Sequence, residues 1–258
     1  MAAQEIVKKI YRPAYTVGQV YAAPYGSGGA LVPIGNVLEM TTEHNEDVER
    51  QNDMTKLGGG VHAEVRRVTE VNFSATLADL NVVNLARAVL GTVAAQDADD
   101  VTGLKRTATP GTLIPLDHIN VSQLTITKPG ADPDTDPPVS ITATGNYELR
   151  PEGIWVLEGA TDITAPVEVT IGYSYADQVV IEHLTAKAAE LQLRFAGLNE
   201  ADQGKPCIVD LWRVSQGVTQ QLAQLQQGFS NLEVSGSVLM DPNKVGAGIS
   251  RYMRTTLV

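Results

Sequence analysis

Apolar residues recur at every second position through two long stretches of the chain. This is the period of a strand with one face on a core and the other in water. In 31–48 the even positions Ile34, Leu38 and Met40 are apolar, whereas the odd positions Glu39, Thr41, Glu43 and Asp47 are polar and mostly acidic. In 63–78, Val65, Val71, Phe73, Ala75 and Leu77 fall on one face and Glu64, Arg66, Glu70, Asn72 and Ser74 on the other. Both runs exceed the usual five or six residues of a strand, which predicts ribbons that reach beyond one compact body. Residues 17–25 and 31–48 read as a long hairpin around Gly26-Ser27-Gly28-Gly29. Between the two long strands, 49–62 holds Glu49, Arg50, Asp53, Lys56 and the run Gly58-Gly59-Gly60. Three consecutive glycines predict a flexible loop.

The period turns helical over 81–90, where Val82, Leu85, Ala86, Val89 and Leu90 share a face. Asn81 is the expected N-cap and Gly91 the expected left-handed stop. Residues 92–104 are small and acidic and read as loop. From 105 to 176 the strands shorten (121–127, 139–145, 153–158, 167–175) and Pro, Asp and Gly turns separate them, the texture of a small β insertion. Longer strands return at 178–184, 188–196, 206–214, 231–240 and 249–257. A Gln-rich helix is expected near 218–227, with Val218, Leu222 and Leu225 inward. The fold class that follows is mainly β: a β-sandwich or half-barrel with one flanking helix, in two parts (1–104 and 177–258) around the insertion at 105–176.

Composition narrows the functional classes. Of 258 residues, 30 are acidic and 19 basic, a formal charge of −11. That balance opposes nucleic-acid gripping, whose affinity comes largely from neutralised phosphates. The lone Cys207 sits in the apolar run Pro206-Cys207-Ile208-Val209 and reads as a small buried hydrophobe. The Met1-Ala2-Ala3-Gln4-Glu5 start lacks a basic-then-apolar signal, and no apolar run approaches the roughly 18 residues of a membrane span.

The motifs of chemistry fail on inspection. Asp132-Pro133-Asp134-Thr135-Asp136 opens like a calcium loop, but the sixth position is Pro137 rather than glycine and the twelfth is Ala143 rather than glutamate. His44, His62, His118 and His183 are scattered. The glycine runs lack the Lys-Ser/Thr of a phosphate loop, and no Gly-x-Ser-x-Gly elbow occurs. The expectation is a non-enzyme with no cofactor and no metal.

Several phrases occur in an order that resembles the major tail tube proteins of long-tailed bacteriophages and, more faintly, bacterial secretion-tube proteins. They are Leu80-Asn81-Val82-Val83-Asn84-Leu85-Ala86-Arg87-Ala88-Val89-Leu90-Gly91 after a long strand, and Asn146-Tyr147-Glu148-Leu149-Arg150-Pro151-Glu152-Gly153-Ile154-Trp155. Further along come Leu193-Arg194-Phe195-Ala196-Gly197-Leu198-Asn199-Glu200 running on to Val209-Asp210-Leu211-Trp212, and Phe229-Ser230-Asn231-Leu232-Glu233-Val234-Ser235-Gly236-Ser237. The resemblance implies a tail-tube-type protomer, six of which close a ring. Rings stack into a hollow virion tail tube, assembled in the host cytoplasm. The implied partners are copies of the chain itself, tail terminator, tape measure and distal tail proteins, and DNA in non-adhesive passage, with no membrane. It also implies that the loop between the long strands (Glu49, Arg50, Asp53, Lys56, Gly58, Gly59, Gly60) reaches a neighbouring subunit or ring. The insertion would decorate the outside or brace neighbours. Combined with the strand faces, this makes Glu39, Glu43, Glu64 and Glu70 candidate lumen acids that repel phosphate. The competing reading is a β-sandwich binding, adhesion or decoration module, in which the same acids line an ordinary solvent face.

Overall fold

The computed structural model describes residues 13–132 and 136–258; Met1–Glu5 and the Pro133–Thr135 centre of the calcium-like motif lie outside them. The described residues are mainly β with one short α-helix. In order, the elements are β1 (Thr16–Pro24), β2 (Val32–Pro33), β3 (Val37–Asn52), β4 (Val61–Leu77), α1 (Val82–Ala88), β5 (Thr92–Gln96), β6 (Asp99–Ala108), β7 (Leu113–Pro115), β8 (Ser122–Lys128) and β9 (Val139–Ser140). There follow β10 (Tyr147–Arg150), β11 (Gly153–Val156), β12 (Val167–Tyr175), β13 (Gln178–Glu182), β14 (Glu190–Asn199), β15 (Lys205–Gln216), β16 (Leu232–Val238) and β17 (Met253–Leu257).

The chain forms two units. One is built from residues up to Val93 together with Ile181–Val258, the other from Ala94–Val180. The insertion is therefore wider than 105–176. Residues 92–104, expected as loop, form β5 and half of β6. Pairing explains the difference: β6 runs antiparallel to β12 from Val167↔Ala108 to Tyr175↔Asp99, and a ladder partner overrides weak local propensity.

The first unit is an eight-stranded sheet in the order β2-β1-β14-β15-β16-β4-β3, with β17 on β15. Its core gathers Ala22, Val71, Phe73, Ala75, Leu77, Leu191, Leu193, Leu211, Val214, Leu232 and Val234, with Ala88 of α1 against them. The predicted hairpin of 17–25 with 31–48 does not form. β1 pairs with β14 along its whole length and meets β2 only at Tyr21↔Pro33 and Ala22↔Val32. The chain is turned away at Gly35, whose φ of 103° suits glycine, and at Asn36, whose amide donates to Asp79 Oδ2 at 2.7 Å.

Asn81 caps α1 as expected, its side chain accepting from the Asn84 amide at 2.8 Å. The other end closes with paired bonds from Gly91 N to the Ala86 carbonyl (2.7 Å) and from Leu90 N to the Arg87 carbonyl (3.3 Å). Leu90, not Gly91, takes the left-handed position (φ 49°). Gly91 answers a different demand: a Cβ there would sit 2.8 Å from the Glu182 carbonyl oxygen. The expected helix at 218–227 is absent. The Thr219 amide donates to the Ala88 carbonyl and its hydroxyl to the Glu233 carbonyl, both at 2.7 Å, which ties the segment to α1 and β16. Leu222 still packs on the core, but Leu225 is 97% exposed.

The second unit has its own core of Ala108, Ile114, Ile126, Ile141, Ile154, Val156, Ile163, Val169 and Ile171. It contains a four-stranded sheet (β6-β12-β8-β9) and a three-stranded one (β10-β11-β7). The chain passes in and out along the paired strands β5 and β13.

Candidate assembly surface

The longest feature of the first unit is the β3–β4 hairpin, paired from Val37↔Leu77 out to Asn52↔Val61. Its inner half is an ordinary two-faced ribbon. Val71, Phe73, Ala75 and Leu77 are buried, and Val37 and Met40 pack beside them. The opposite face is assembled row by row from three strands: Glu39, Thr76 and Glu233; Thr41, Ser74 and Ser235; Glu43, Asn72 and Ser237; then Asn45 and Glu70. The Thr41 and Ser74 hydroxyls share a 2.6 Å bond, and the Ser237 hydroxyl donates to Asn72 Oδ1 at 3.3 Å. These rows carry Glu39, Glu43, Glu70 and Glu233 and no basic residue. A surface of short hydroxyls, amides and carboxylates holds water and offers nothing to neutralise a phosphate.

Glu64 does not share that face. The register slips between Asn45↔Glu70 and Glu46↔Val68, leaving Thr69 as an extra residue on β4. A bulge reverses which way the following side chains point. Beyond it Glu46, Val48, Arg50, Glu64, Arg66 and Val68 continue the core side, while Val65 joins Asp47 and Glu49 on the other side. Arg66 binds Glu46 at 2.7 Å and Glu64 at 2.5 Å, and Glu64 also binds Arg50 at 2.7 Å. These bonds, Arg50's first and Arg66's second, hold the Glu64 carboxyl below its usual range.

The outer half of the hairpin is solvated on both faces, with Val61, Val65 and Val68 all at least half exposed. Single exposed apolar residues are unremarkable; here three valines stand on a ribbon that has no core on either side among the described residues. β3 is also the last strand of the sheet, so its outer edge pairs with no other strand among the described residues. Unpaired edges of this length template further strand pairing.

Glu49 and Arg50 belong to β3 rather than to the loop, because their ladder partners Val65 and Glu64 extend the hairpin to Asn52. The loop proper is 53–60, and it is built rather than slack. The Asp53 amide donates to the Gly60 carbonyl at 2.8 Å. Asp53 Oδ1 accepts from the Thr55 amide and hydroxyl at 2.9 and 2.6 Å, a side-chain-closed turn. Gly58 has φ 78°, and a Cβ on Gly59 would fall 1.8 Å from the Asp53 carbonyl oxygen. Two of the three glycines thus serve geometry. The turn presents Met54 and Leu57 fully to solvent, with Lys56 exposed between them.

Glu233, Ser235 and Ser237 join the acidic face of β3 and β4 without having been expected there; their alternation with Leu232, Val234 and Val238 is the signal that marks them. Met54 and Leu57 have no such signal, since no periodicity singles them out. Among the described residues no group of three or more His, Cys, Asp or Glu could hold a metal ion, and no helix is long and apolar enough to cross a membrane. No curated protein matches the chain. Residues 13–256 match the model of the family described as "Protein of unknown function UCP028589", and the chain belongs to that family.

Proposed function

We propose that this chain is a structural subunit that polymerises with copies of itself into the tube of a long-tailed phage, as hexameric rings stacked around a DNA-conducting channel. The observation that carries this reading is the β3–β4 hairpin, whose outer half is exposed on both faces and whose outer edge is unpaired among the described residues. A lone monomer gains nothing from ordering such a ribbon, whereas a neighbouring copy would cover the valines and complete the sheet edge. The acidic, hydroxyl-rich face formed by β3, β4 and β16 would then look into the channel. DNA slides past a wall that holds no counter-charge for its phosphates, with repulsion acting within about 8 Å at physiological salt. The reading assigns the chain no catalytic step, cofactor or membrane. Its other partners would be the proteins that start, measure and end the tube.

Electron microscopy of the purified protein at rising concentration tests this directly. Rings with a central channel, or tubes, are expected. Dispersed monomers at every concentration and salt would favour a decoration or adhesion module instead.

A further inference from the structure

The end of α1 is wrapped by returning chain. The Leu184 and Ala186 amides donate to the Val89 and Leu90 carbonyls at 3.0 and 2.8 Å, and the Thr219 amide takes the Ala88 carbonyl. The Thr92 and Thr185 hydroxyls share a 2.8 Å bond beside them. With the Gly91 amide on Ala86 and the Leu90 amide on Arg87, every carbonyl from Ala86 to Leu90 has a donor. These bonds frame a pocket of about 230 Å³ in the first unit. Val83, Ala86, Leu90, Val93, Ala186 and Ala189 give it apolar walls. Its charged and amide side chains are Arg87, Lys187 and Gln216, and no acid lines it. None of these three side chains has an ion pair or hydrogen bond among the described residues. Gln216 is only 9% exposed and reaches the core beside Phe73 and Leu193. An amide so buried ordinarily finds its partner inside the protein, whereas this one faces the pocket.

We propose that this pocket binds a residue-sized aliphatic carboxylate, its head on Arg87 and Gln216 and its apolar body against Val83, Leu90 and Val93. The site makes no use of self-assembly and goes beyond the tube reading. Charge selects the head. The chain carries a formal −11, yet this lining holds two cations and no acid. A guanidinium fork pairs with a planar carboxylate through two parallel bonds, and an amide N–H beside it adds a third. The walls select the body, since a bare anion such as inorganic phosphate leaves the apolar lining uncovered. Volume sets the size. Sites for drug-sized ligands begin near about 300 Å³, so this pocket suits a body no larger than one amino-acid residue. A helix C-terminus ordinarily repels an anion. Here each carbonyl of the last turn already accepts a bond, so none is left bare toward the head. The frame is bonded in place before any ligand arrives, which keeps the ordering cost of binding low. A free aliphatic acid and the final residue of a polypeptide offer this same chemistry.

Isothermal titration calorimetry on the full-length protein tests this with three probes: N-acetyl-leucine, N-acetyl-leucinamide, and a short Gly/Ser peptide ending in leucine with a free carboxyl. N-acetyl-leucine should bind at least about tenfold more tightly than its amide, which keeps the body and loses the charge. Arg87→Gln should erase that preference, and Lys187→Gln, at an exposed position, should reduce it. Gln216→Met removes the amide at matched length and should weaken the acid several-fold while leaving the leucinamide unchanged. Ala189→Trp, also at an exposed position, fills the pocket and should abolish binding of all three probes. The proposal is overturned if acid and amide bind alike, if the preference survives Arg87→Gln in protein that is folded by circular dichroism, or if no probe gives heat up to about 20 mM. Should Arg87→Gln fail to fold, Ala189→Trp still decides, because binding that survives it lies elsewhere and overturns the site. A peptide that binds more tightly than N-acetyl-leucine identifies a polypeptide C-terminus as the source, and equal affinity identifies a free acid. Rings or tubes on the microscope grid are scored separately, so either reading can fail without the other.

Discussion

Gly59 and Gly60 are neighbours in sequence and predict opposite outcomes when each is replaced by alanine. At Gly59 a Cβ would lie 1.8 Å from the Asp53 carbonyl oxygen, whereas at Gly60 nothing lies within 4 Å and the φ is not left-handed. Real Cβ–oxygen contacts stay beyond about 3 Å, so Gly59→Ala forces the two sides of the tip apart by more than an ångström. That movement breaks the Asp53–Gly60 bond of 2.8 Å and disturbs the two bonds at Asp53 Oδ1. At about 0.5–1.5 kcal/mol net per bond, the tip loses roughly 1–4 kcal/mol of local order. The loss stays local, because Met54 and Leu57 touch no core and the hairpin base is held by Phe73 and Leu77. Gly59→Ala should therefore leave the thermal midpoint of the first unit within about 1–2 °C of the parent while raising the concentration needed for assembly at least tenfold. Gly60→Ala should change neither. Differential scanning calorimetry and light scattering against concentration measure the two quantities. If both alanine variants assemble alike, the tip is slack chain and its geometry has no role in association.

Two further outcomes follow from charge. Replacing Glu39, Glu43 and Glu70 together by lysine should create DNA binding whose affinity falls about 40-fold between 50 and 200 mM salt, the slope expected for about three neutralised phosphates. The same exchange at Glu148, Glu152 and Glu168 of the second unit should give a shallower slope, and equal slopes in fluorescence anisotropy would deny the face any special disposition. Glu64 is an acid whose folded pKa is depressed, so its contribution to the hairpin is complete above the ordinary glutamate value of 4.5 and is lost as pH falls through the lowered folded value. Carbon-13 NMR of its carboxyl should show a midpoint below 4.5 that rises in Arg50→Ala and, by less, in Arg66→Ala; an unshifted midpoint would mean the ladder of ion pairs does not persist in solution.

The sequence made the inner hairpin legible because one of its faces is paid for by burial: Val71, Phe73, Ala75 and Leu77 alternate, and all are covered. The outer hairpin has no such teacher. Solvent accepts either face, so nothing in the residue pattern announces the extra Thr69, and uninterrupted alternation puts Glu64 on the face opposite to the one it occupies. Strand pairing was the other blind spot. β3 finds β4 and β1 finds β14, nearly 180 residues away, and alternation alone does not name partners. The residues 92–104 and 218–227 failed in opposite directions, the first gaining a ladder partner that its small acidic residues did not advertise, the second losing a helical turn to bonds with Ala88 and Glu233. Three glycines in a row suggested slackness, and the structure uses two of them for close packing and a left-handed bend.

The second unit leaves and rejoins the chain along β5 and β13, which lie side by side as paired strands, and it keeps a hydrophobic centre of its own. Its two ends therefore sit within one strand spacing, about 5 Å. A segment so attached behaves as a cassette: it can be excised and bridged by a short turn, or exchanged for another fold, without re-threading the sheet that carries it. Diversity among relatives of this chain should accordingly concentrate between β5 and β13, while the sheet outside that joint stays recognisable.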